Sequence, residues 1–130
     1  MTTSLILIVE DDPNSRKLLR DVLETVGYET CEASNAEDGI RLAQGLRPAL
    51  ILMDIRLPSM NGIEALRRLR DDAVTRAIPI VAVTASVMHD QRDQVLDAGF
   101  DALENKPISV RSLLATIRRL LQTEGLAQPS

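Results

Sequence analysis

Short aliphatic runs alternate along this chain with longer stretches in which apolar residues recur every three or four positions. The clearest runs lie at residues 5–9, 50–54 and 80–84; residues 28–33 form a more polar run, typical of a strand nearer the sheet edge, and residues 102–104 form a short fifth run. A continuous aliphatic run without polar alternation is typical of a strand that is covered on both faces of a parallel sheet. The pattern therefore predicts an α/β fold, in which five strands form a doubly wound parallel sheet with helices on both faces.

Capping residues predict where the intervening helices begin and end. Asp12 and Pro13 are typical of a helix start, and Gly27 of a helix end. The other predicted markers are Asn35 before the second helix, Gly45 and Pro48 after it, Asn61-Gly62 at the third and Ser109 at the last. The predicted inward-facing residues are Leu18, Leu19, Val22, Leu23 and Val26, then Ala36, Ile40 and Ala43, then Ile63, Leu66 and Leu69, and finally Val110, Leu113, Leu114, Ile117, Leu120 and Leu121. The fourth helix, near residues 87–98, has the weakest apolar stripe: Met88, Val95 and Leu96.

The chain reads as one domain without repeats or linkers. Its 130 residues are long enough to bury a core, and we expect the domain at residues 1–124 and a loose tail at 125–130. This organisation predicts a protein that produces its output without an attached effector domain.

The composition narrows the classes of partner. The chain is 45% hydrophobic and 26% charged, and it carries one Phe, one Tyr and no Trp. The scarcity of aromatic residues and the net charge of −4 argue against nucleic-acid binding. A single cysteine, Cys31, excludes an internal disulfide and suits a reducing cytoplasm, where we expect it to act as a small core residue. No signal peptide or membrane span is recognisable, so we expect a cytoplasmic protein with no membrane partner.

Reactive side chains follow four of the five predicted strands. Glu10 and Asp11 follow the first strand, Asp54 ends the third, Thr84 ends the fourth and Lys106 follows the fifth. The carboxyl ends of parallel strands share one edge, so these groups are expected to converge. Carboxylates in such proximity repel one another, and a hard cation such as Mg²⁺ relieves the repulsion. Asp54, next to such an ion, an amine and a hydroxyl, is predicted to accept a phosphoryl group.

Five segments of the chain carry a family resemblance. They are Leu7-Ile8-Val9-Glu10-Asp11-Asp12, Leu52-Met53-Asp54-Ile55-Arg56-Leu57-Pro58, Asn61-Gly62, Val83-Thr84-Ala85 and Lys106-Pro107. In this order and at this spacing they resemble the receiver domains of two-component response regulators, over roughly residues 5 to 122. The resemblance implies a flavodoxin-like (βα)5 fold with strand order 2-1-3-4-5. Within the family, the chain is similar to stand-alone chemotaxis and bacterial cell-division-control regulators and to receivers of hybrid kinases.

The resemblance also implies the metal-binding and phosphoryl-accepting residues. Asp54 matches the phosphorylated aspartate. Asp11, Asp54 and the main-chain carbonyl of Arg56 match the ligands of Mg²⁺, for which Mn²⁺ can substitute, and Glu10 acts through water.

Other matched positions concern the phosphoryl group and its lifetime. Thr84, Lys106 and the amide of Ala85 match groups that bind the phosphoryl oxygens. The matched Lys106–Pro107 peptide bond is cis in the family, although cis bonds form only ~5–6% of X-Pro bonds. Arg56 and Ser86 match positions that affect how long the phosphoryl group persists.

The end of the fifth strand departs from the family pattern. Leu103 stands where members carry Tyr or Phe, the ring that moves together with the threonine (here Thr84) in the family's switch. We expect Leu103 to be exposed and this coupling to be weakened or carried by the backbone. With the weak fourth helix, this predicts a partner-binding face formed by helix four, strand five and helix five.

The combined interpretation is a single-domain response regulator rather than a metabolic enzyme. It would take phosphate from a histidine kinase or a histidine phosphotransfer protein, signal through protein contacts and slowly dephosphorylate itself. One alternative is a pseudo-receiver adaptor that acts without phosphorylation. A second is an aspartyl-phosphate phosphatase, which needs another aspartate where this chain has Arg56. A flavodoxin-like nucleotide or flavin module is a third, but the glycine-rich loop and flanking aromatics are missing.

Overall fold

The computed structural model describes residues 4–58, 60–85 and 89–126, without the side chains of residues 89–92 and 123–126. The elements in chain order are β1 (Leu5–Val9), α1 (Pro13–Thr25), β2 (Glu29–Ala33), α2 (Ala36–Leu46), β3 (Leu50–Asp54), α3 (Gly62–Asp71), β4 (Ile80–Thr84), α4 (His89–Asp97), β5 (Ala102–Asn105) and α5 (Val110–Leu126). Strands and helices alternate as the aliphatic runs predict. None of the described helices combines the length and apolar character needed to cross a membrane.

The five strands form one fully parallel sheet in the order β2-β1-β3-β4-β5. This arrangement confirms the predicted doubly wound fold and its 2-1-3-4-5 order. Val9 lies opposite Met53, and Asp54 lies opposite Val83. The carboxyl ends of the three central strands therefore lie side by side at one edge.

Successive residues of the central strands pack into two different core layers. Leu7 and Val9 of β1 belong to the layer that includes the buried residues of α2 and α3. Ile6 and Ile8 belong to the opposite layer, with Leu19 of α1 and residues of α5. All five residues of β3 and of β4 are buried, as expected for strands covered on both faces.

Two helices have a narrower buried face than their sequence stripes predict. Leu18 of α1 and Val26, the residue that follows this helix, are each 47% exposed, and Val110 of α5 is 44% exposed, although the sequence stripes predict that all three face inward. Burial in α1 is confined to Leu19 and Leu23. A helix that contacts a sheet along one line buries only the residues nearest that line, so the edges of the apolar stripe remain in solvent.

Some element boundaries also differ from the sequence prediction. Gly45 lies inside α2, which ends at Leu46, and Arg47 is the C-cap with a left-handed φ of 49°. Its N–H donates to the carbonyl of Ala43, so this hydrogen bond closes the helix where the glycine was expected to do so. Strand β2 begins at Glu29 rather than at Tyr28.

The two helices nearest the predicted partner-binding face are α4 and α5. Helix α4 is described over His89–Asp97, and its predicted start, with Met88, lies outside the described residues. Val95 of α4 is buried, although the stripe is weak. Helix α5 continues through Leu126, two residues beyond the predicted domain boundary. Residues 127–130 lie outside the described residues, so a loose tail there stays a prediction.

The prediction that Leu103 is exposed is wrong. Its side chain is only 5% exposed and belongs to the core layer of α3 and α4. Glu104 points to the other side of β5 and is also buried, at 6% exposure. Its Oε2 accepts hydrogen bonds from Ser112 Oγ at 3.2 Å and Thr116 Oγ1 at 2.7 Å. Both faces of β5 are therefore covered, because α5 supplies hydroxyl groups that satisfy a carboxylate where an apolar residue was expected.

Candidate functional site

Three carboxylates meet at the carboxyl edge of the sheet. Glu10 and Asp11 directly follow β1, and Asp54 is the last residue of its neighbour β3. One oxygen of each side chain lies within 4.8 Å of the other two. Glu10 and Asp54 are buried, at 1% and 6% exposure, whereas Asp11 is exposed. The convergence that the strand ends predict is present in the structure.

Lys106 contacts two of these acids. Its Nζ donates to Glu10 Oε1 at 2.5 Å and to Asp54 Oδ2 at 3.1 Å. Its backbone N–H donates to the carbonyl of Thr84 at 2.7 Å, which fixes the end of β5 against β4. Burial lowers the pKa of Lys106, but the hydrogen bonds from its ammonium to Glu10 and Asp54 outweigh this effect and raise it. The lysine is therefore a stable positive charge between the acids.

Glu10 has the most perturbed acidity of the cluster. Burial raises its pKa from 4.5 to about 7, and the nearby Asp54 acts in the same direction. The hydrogen bonds from Lys106 and from the Asp12 backbone N–H, the latter at 3.1 Å, lower the pKa but only partly offset burial. One ammonium therefore does not fully compensate this group of carboxylates.

Backbone contacts fix the orientation of Asp54. Its Oδ1 accepts from the Arg56 N–H at 2.9 Å, while Oδ2 accepts from Lys106. The N–H of Gly62, at the start of α3, donates to the Ile55 carbonyl at 2.8 Å. A Cβ on Gly62 would lie 2.8 Å from Ile55 Cα and 2.9 Å from the carbonyl oxygen of Asp54. Only glycine lets α3 approach Asp54 so closely, a requirement that is missed when Gly62 is read from the sequence as a helix start.

The remaining predicted site residues lie around this edge. Thr84 is 2% exposed and ends β4, one position beyond the residue opposite Asp54. Ala85 follows it and is exposed, as is Arg56 after β3. The Lys106–Pro107 peptide bond is cis, as the resemblance implies. Ser86 lies outside the described residues, so its effect on phosphoryl lifetime stays a prediction.

Arg16 contacts the main chain beside this site, and the sequence analysis does not single it out. Its Nη1 donates to the main-chain carbonyls of Glu10 at 2.9 Å and Asp11 at 3.2 Å. The available signal was an arginine one turn into the helix that follows the acidic pair. That spacing returns the side chain towards the strand end, but the sequence alone does not show which carbonyls it reaches.

The donor set fits a hard divalent cation. Mg²⁺ prefers oxygen ligands and is typically held by one or two carboxylates together with water and phosphate. The cluster offers three carboxylates within reach of one another, two of them buried and short of positive charge. Such a cation would be held by Asp11 and Asp54, with Glu10 acting through water, and would offset the repulsion that burial intensifies.

Comparisons with protein families and with curated proteins both find response regulators. The model of the response regulator receiver domain matches residues 6–118. The polar-differentiation response regulator DivK of Brucella anthropi is 42% identical over 116 residues, which cover 89% of this chain and 94% of that protein.

Solved structures show the same architecture. A CheY-like receiver domain protein from Methanospirillum hungatei has a TM-score of 0.88 and 30% identity, covering 98% of this chain and 100% of that one. The receiver domain of a Pseudomonas aeruginosa sensor histidine kinase has a TM-score of 0.86 and 30% identity, covering 93% and 99% respectively. That structure is described with a magnesium ion coordinated in its active-site cleft.

Proposed function

Because this chain belongs to the response regulator receiver family, we propose that it is a stand-alone response regulator whose Asp54 accepts a phosphoryl group. The donor is a phosphohistidine on a histidine kinase or a histidine phosphotransfer protein, and the reaction depends on Mg²⁺. The observation that carries the proposal is the environment of Asp54. This nearly buried carboxylate is held by Lys106 and a backbone N–H, next to two further acids.

The proposed reaction moves a phosphoryl group from a histidine nitrogen of the donor protein to a carboxylate oxygen of Asp54. A carboxylate oxygen of Asp54 forms a bond to phosphorus while the P–N bond of the phosphohistidine breaks. The electron pair of that bond stays on the imidazole nitrogen, which takes up a proton from solvent, and Asp54 becomes an acyl phosphate. The Arg56 N–H and the Lys106 ammonium hold the attacking carboxylate in one orientation, which reduces the entropy lost on reaching the reactive geometry.

The charges on the phosphoryl group need compensation at the same edge. Bound Mg²⁺, held by Asp11, Asp54 and the Arg56 carbonyl with Glu10 acting through water, would supply positive charge to the phosphoryl oxygens. Lys106 supplies a second positive charge 3.1 Å from Asp54. We assign the Thr84 hydroxyl and the Ala85 amide to the remaining phosphoryl oxygens. Slow hydrolysis of the acyl phosphate, tuned by Arg56 and Ser86, limits the duration of the signal.

Phosphorylation changes the surface that a downstream protein reads. Thr84 and Lys106 are joined by a backbone hydrogen bond, so a displacement of Thr84 towards the phosphoryl group is transmitted directly to the end of β5. Since Leu103 is buried and has no ring to reorient, we assign the switch to backbone movement of β5. A groove of about 480 Å³ lined by Leu96, Glu104 and Thr116 adjoins this strand and supports the face formed by α4, β5 and α5 as the partner site.

Labelling with a small phosphodonor tests the proposal. The protein is incubated with acetyl phosphate and Mg²⁺, and its mass is measured for the wild type, Asp54→Asn and the control Asp21→Asn, which changes an exposed carboxylate on α1. We expect one phosphoryl group on the wild type and the control, none on Asp54→Asn, and none when a chelator removes Mg²⁺.

Equal labelling of wild type and Asp54→Asn would exclude Asp54 as the acceptor. If the wild type neither acquires mass nor binds beryllofluoride, the adaptor without phosphorylation is the correct function. In the beryllofluoride complex, amide hydrogen exchange of β5 and α5 should differ from that of the free protein, whereas unchanged exchange there argues against the proposed output face.

A further inference from the structure

We propose that Arg16 is a positioning residue for the cation site, and that it sets the affinity for Mg²⁺ by fixing the turn that presents Glu10 and Asp11. This inference rests on the proposed function, because it assumes that the acidic cluster binds Mg²⁺. Arg16 touches neither the carboxylate oxygens of the cluster nor the acceptor in the described contacts. It acts through the main chain of the two acids.

The contact geometry is that of one donor group bridging two successive carbonyls. Arg16 Nη1 lies 2.9 Å from the Glu10 carbonyl oxygen and 3.2 Å from that of Asp11. On the other side of the turn, the Glu10 N–H donates to the Ala33 carbonyl at 3.0 Å. Asp12 ends the turn, where its side chain caps α1 by accepting from the Ser15 N–H at 3.2 Å. The exposed Asp11 gains its fixed position from this framework, since its own side chain lies in solvent.

Glu32 on β2 holds the guanidinium in place. Its Oε1 lies 3.3 Å from Arg16 Nε, and its Oε2 accepts from Arg20 Nη1 at 3.0 Å. The side chains of Arg16 and Glu32 are 22% and 24% exposed, so the pair is partly shielded from solvent. Glu32 also compensates the positive charge of Arg16, which reduces the repulsion between this arginine and a cation bound on the other side of the turn.

The planar guanidinium group, with several N–H donors, explains why position 16 needs an arginine and not only a positive charge. One edge of the guanidinium faces Glu32 while a terminal nitrogen reaches both carbonyls, an arrangement that the single ammonium of lysine does not reproduce. A positioning role and an electrostatic role therefore predict opposite results. Removing a positive charge near the site strengthens cation binding if charge alone matters, and weakens it if Arg16 orders the turn.

The test compares Arg16→Lys and Arg16→Gln with the control Arg20→Gln. Arg20 lies on the same helix and pairs with the same Glu32, but its described contacts do not reach the turn of the acids. Mg²⁺ affinity is measured by NMR titration of backbone amides, and acetyl phosphate labelling is measured as a function of Mg²⁺ concentration. We expect both Arg16 variants to bind Mg²⁺ about tenfold more weakly, as is usual when an outer-shell partner of a metal site is lost. The labelling rate at saturating Mg²⁺ should stay at the wild-type value, and Arg20→Gln should match the wild type throughout.

Each result distinguishes the positioning role from its alternatives. Unchanged or tighter Mg²⁺ binding by Arg16→Gln overturns the proposal, as does a lower saturating rate with unchanged Mg²⁺ affinity. If Arg16→Gln fails to fold by circular dichroism, Arg16→Lys, which keeps the positive charge, provides the test: weaker Mg²⁺ binding supports the proposal and unchanged binding overturns it. A wild type that binds no Mg²⁺ contradicts the proposed function itself, whereas normal wild-type binding with unaffected Arg16 variants contradicts only the positioning role.

Discussion

At the residue scale, the helical glycines Gly62 and Gly45 differ in how much space surrounds them. A Cβ on Gly62 would meet the backbone of Asp54 and Ile55 at under 3.0 Å, whereas one on Gly45 would meet nothing within 4 Å. Backbone atoms cannot move aside as the end of a flexible side chain can. The close approach of α3 to the end of β3 therefore depends on the missing side chain of Gly62.

Alanine substitutions at these two glycines should have opposite effects on stability. We expect Gly62→Ala to lower the free energy of unfolding by about 2 kcal/mol, because α3 must shift away from β3. Gly45→Ala should raise it by about 0.5–1 kcal/mol, since alanine favours the helix and has free space there. Urea unfolding measures both changes. Gly62→Ala should also slow acetyl phosphate labelling, and a variant as stable and as rapidly labelled as the wild type would disprove the close-approach argument.

At the scale of elements, Arg70 connects the end of α3 to two loops. Its Nη1 donates to the carbonyls of Arg76 at 2.9 Å and Ile78 at 2.7 Å. Its Nη2 donates to the Gly99 carbonyl at 3.1 Å and to Asp101 Oδ2 at 2.8 Å. The same Asp101 oxygen accepts from the backbone N–H of Ile80 at 2.7 Å. One arginine thus links the segments that lead into β4 and β5.

Loss of this link should destabilise the fold more than loss of an ordinary surface ion pair. We expect Arg70→Gln to lower the free energy of unfolding by about 2 kcal/mol, because several carbonyls and a carboxylate lose a charged donor. The matched control is Arg68→Gln on the same helix, whose exposed pair with Glu64 at 3.4 Å should contribute less than about 0.5 kcal/mol. Equal unfolding midpoints in urea for the two variants would show that the Arg70 contacts contribute no more than a surface pair.

At the scale of the whole molecule, the acidic site opposes folding stability in the absence of metal. The pKa of Glu10 rises from 4.5 to about 7 in the folded protein, chiefly through burial. The folded state therefore binds more protons than the unfolded state between these values. This stabilising contribution is complete below the unfolded pKa and disappears as the pH rises through about 7. Lys106, whose pKa is raised above 10.5, keeps its charge throughout that interval.

The metal-free protein should accordingly become less stable as the pH rises from about 5 to about 8. Glu10→Gln removes the titrating group but keeps an oxygen that can accept from Lys106, so its stability should depend less on pH. Urea unfolding in the presence of a chelator, carried out across this pH interval, gives the comparison. Because both proteins share His89 and the chain terminus, a difference in slope reports on Glu10. Identical pH profiles would refute the raised pKa as a source of instability.

The sequence by itself determines the order of the elements and the edge at which the reactive groups lie. Continuous aliphatic runs such as Ile80–Val83 require cover on both faces, and this requirement already implies a parallel sheet flanked by helices. The helix caps Asp12, Asn35 and Asn61 can also be predicted from the sequence. Each side chain accepts a hydrogen bond from a backbone N–H only three residues further along the chain, so the interaction is local. Local interactions and the shared polarity of parallel strands are therefore sufficient to bring Glu10 and Asp54 together.

Only the tertiary structure decides which surfaces are covered and which distant groups meet. Leu103 is buried because the helices on its side of the sheet cover β5, and Glu104 is satisfied by hydroxyl groups on α5. The close approach of Gly62 to Asp54 and the bridge from Arg16 to the turn of the acids arise in the same way. Sequence periodicity gives the side of an element on which a residue lies, but not how closely another element packs there. That distance is set by the packing of the whole core.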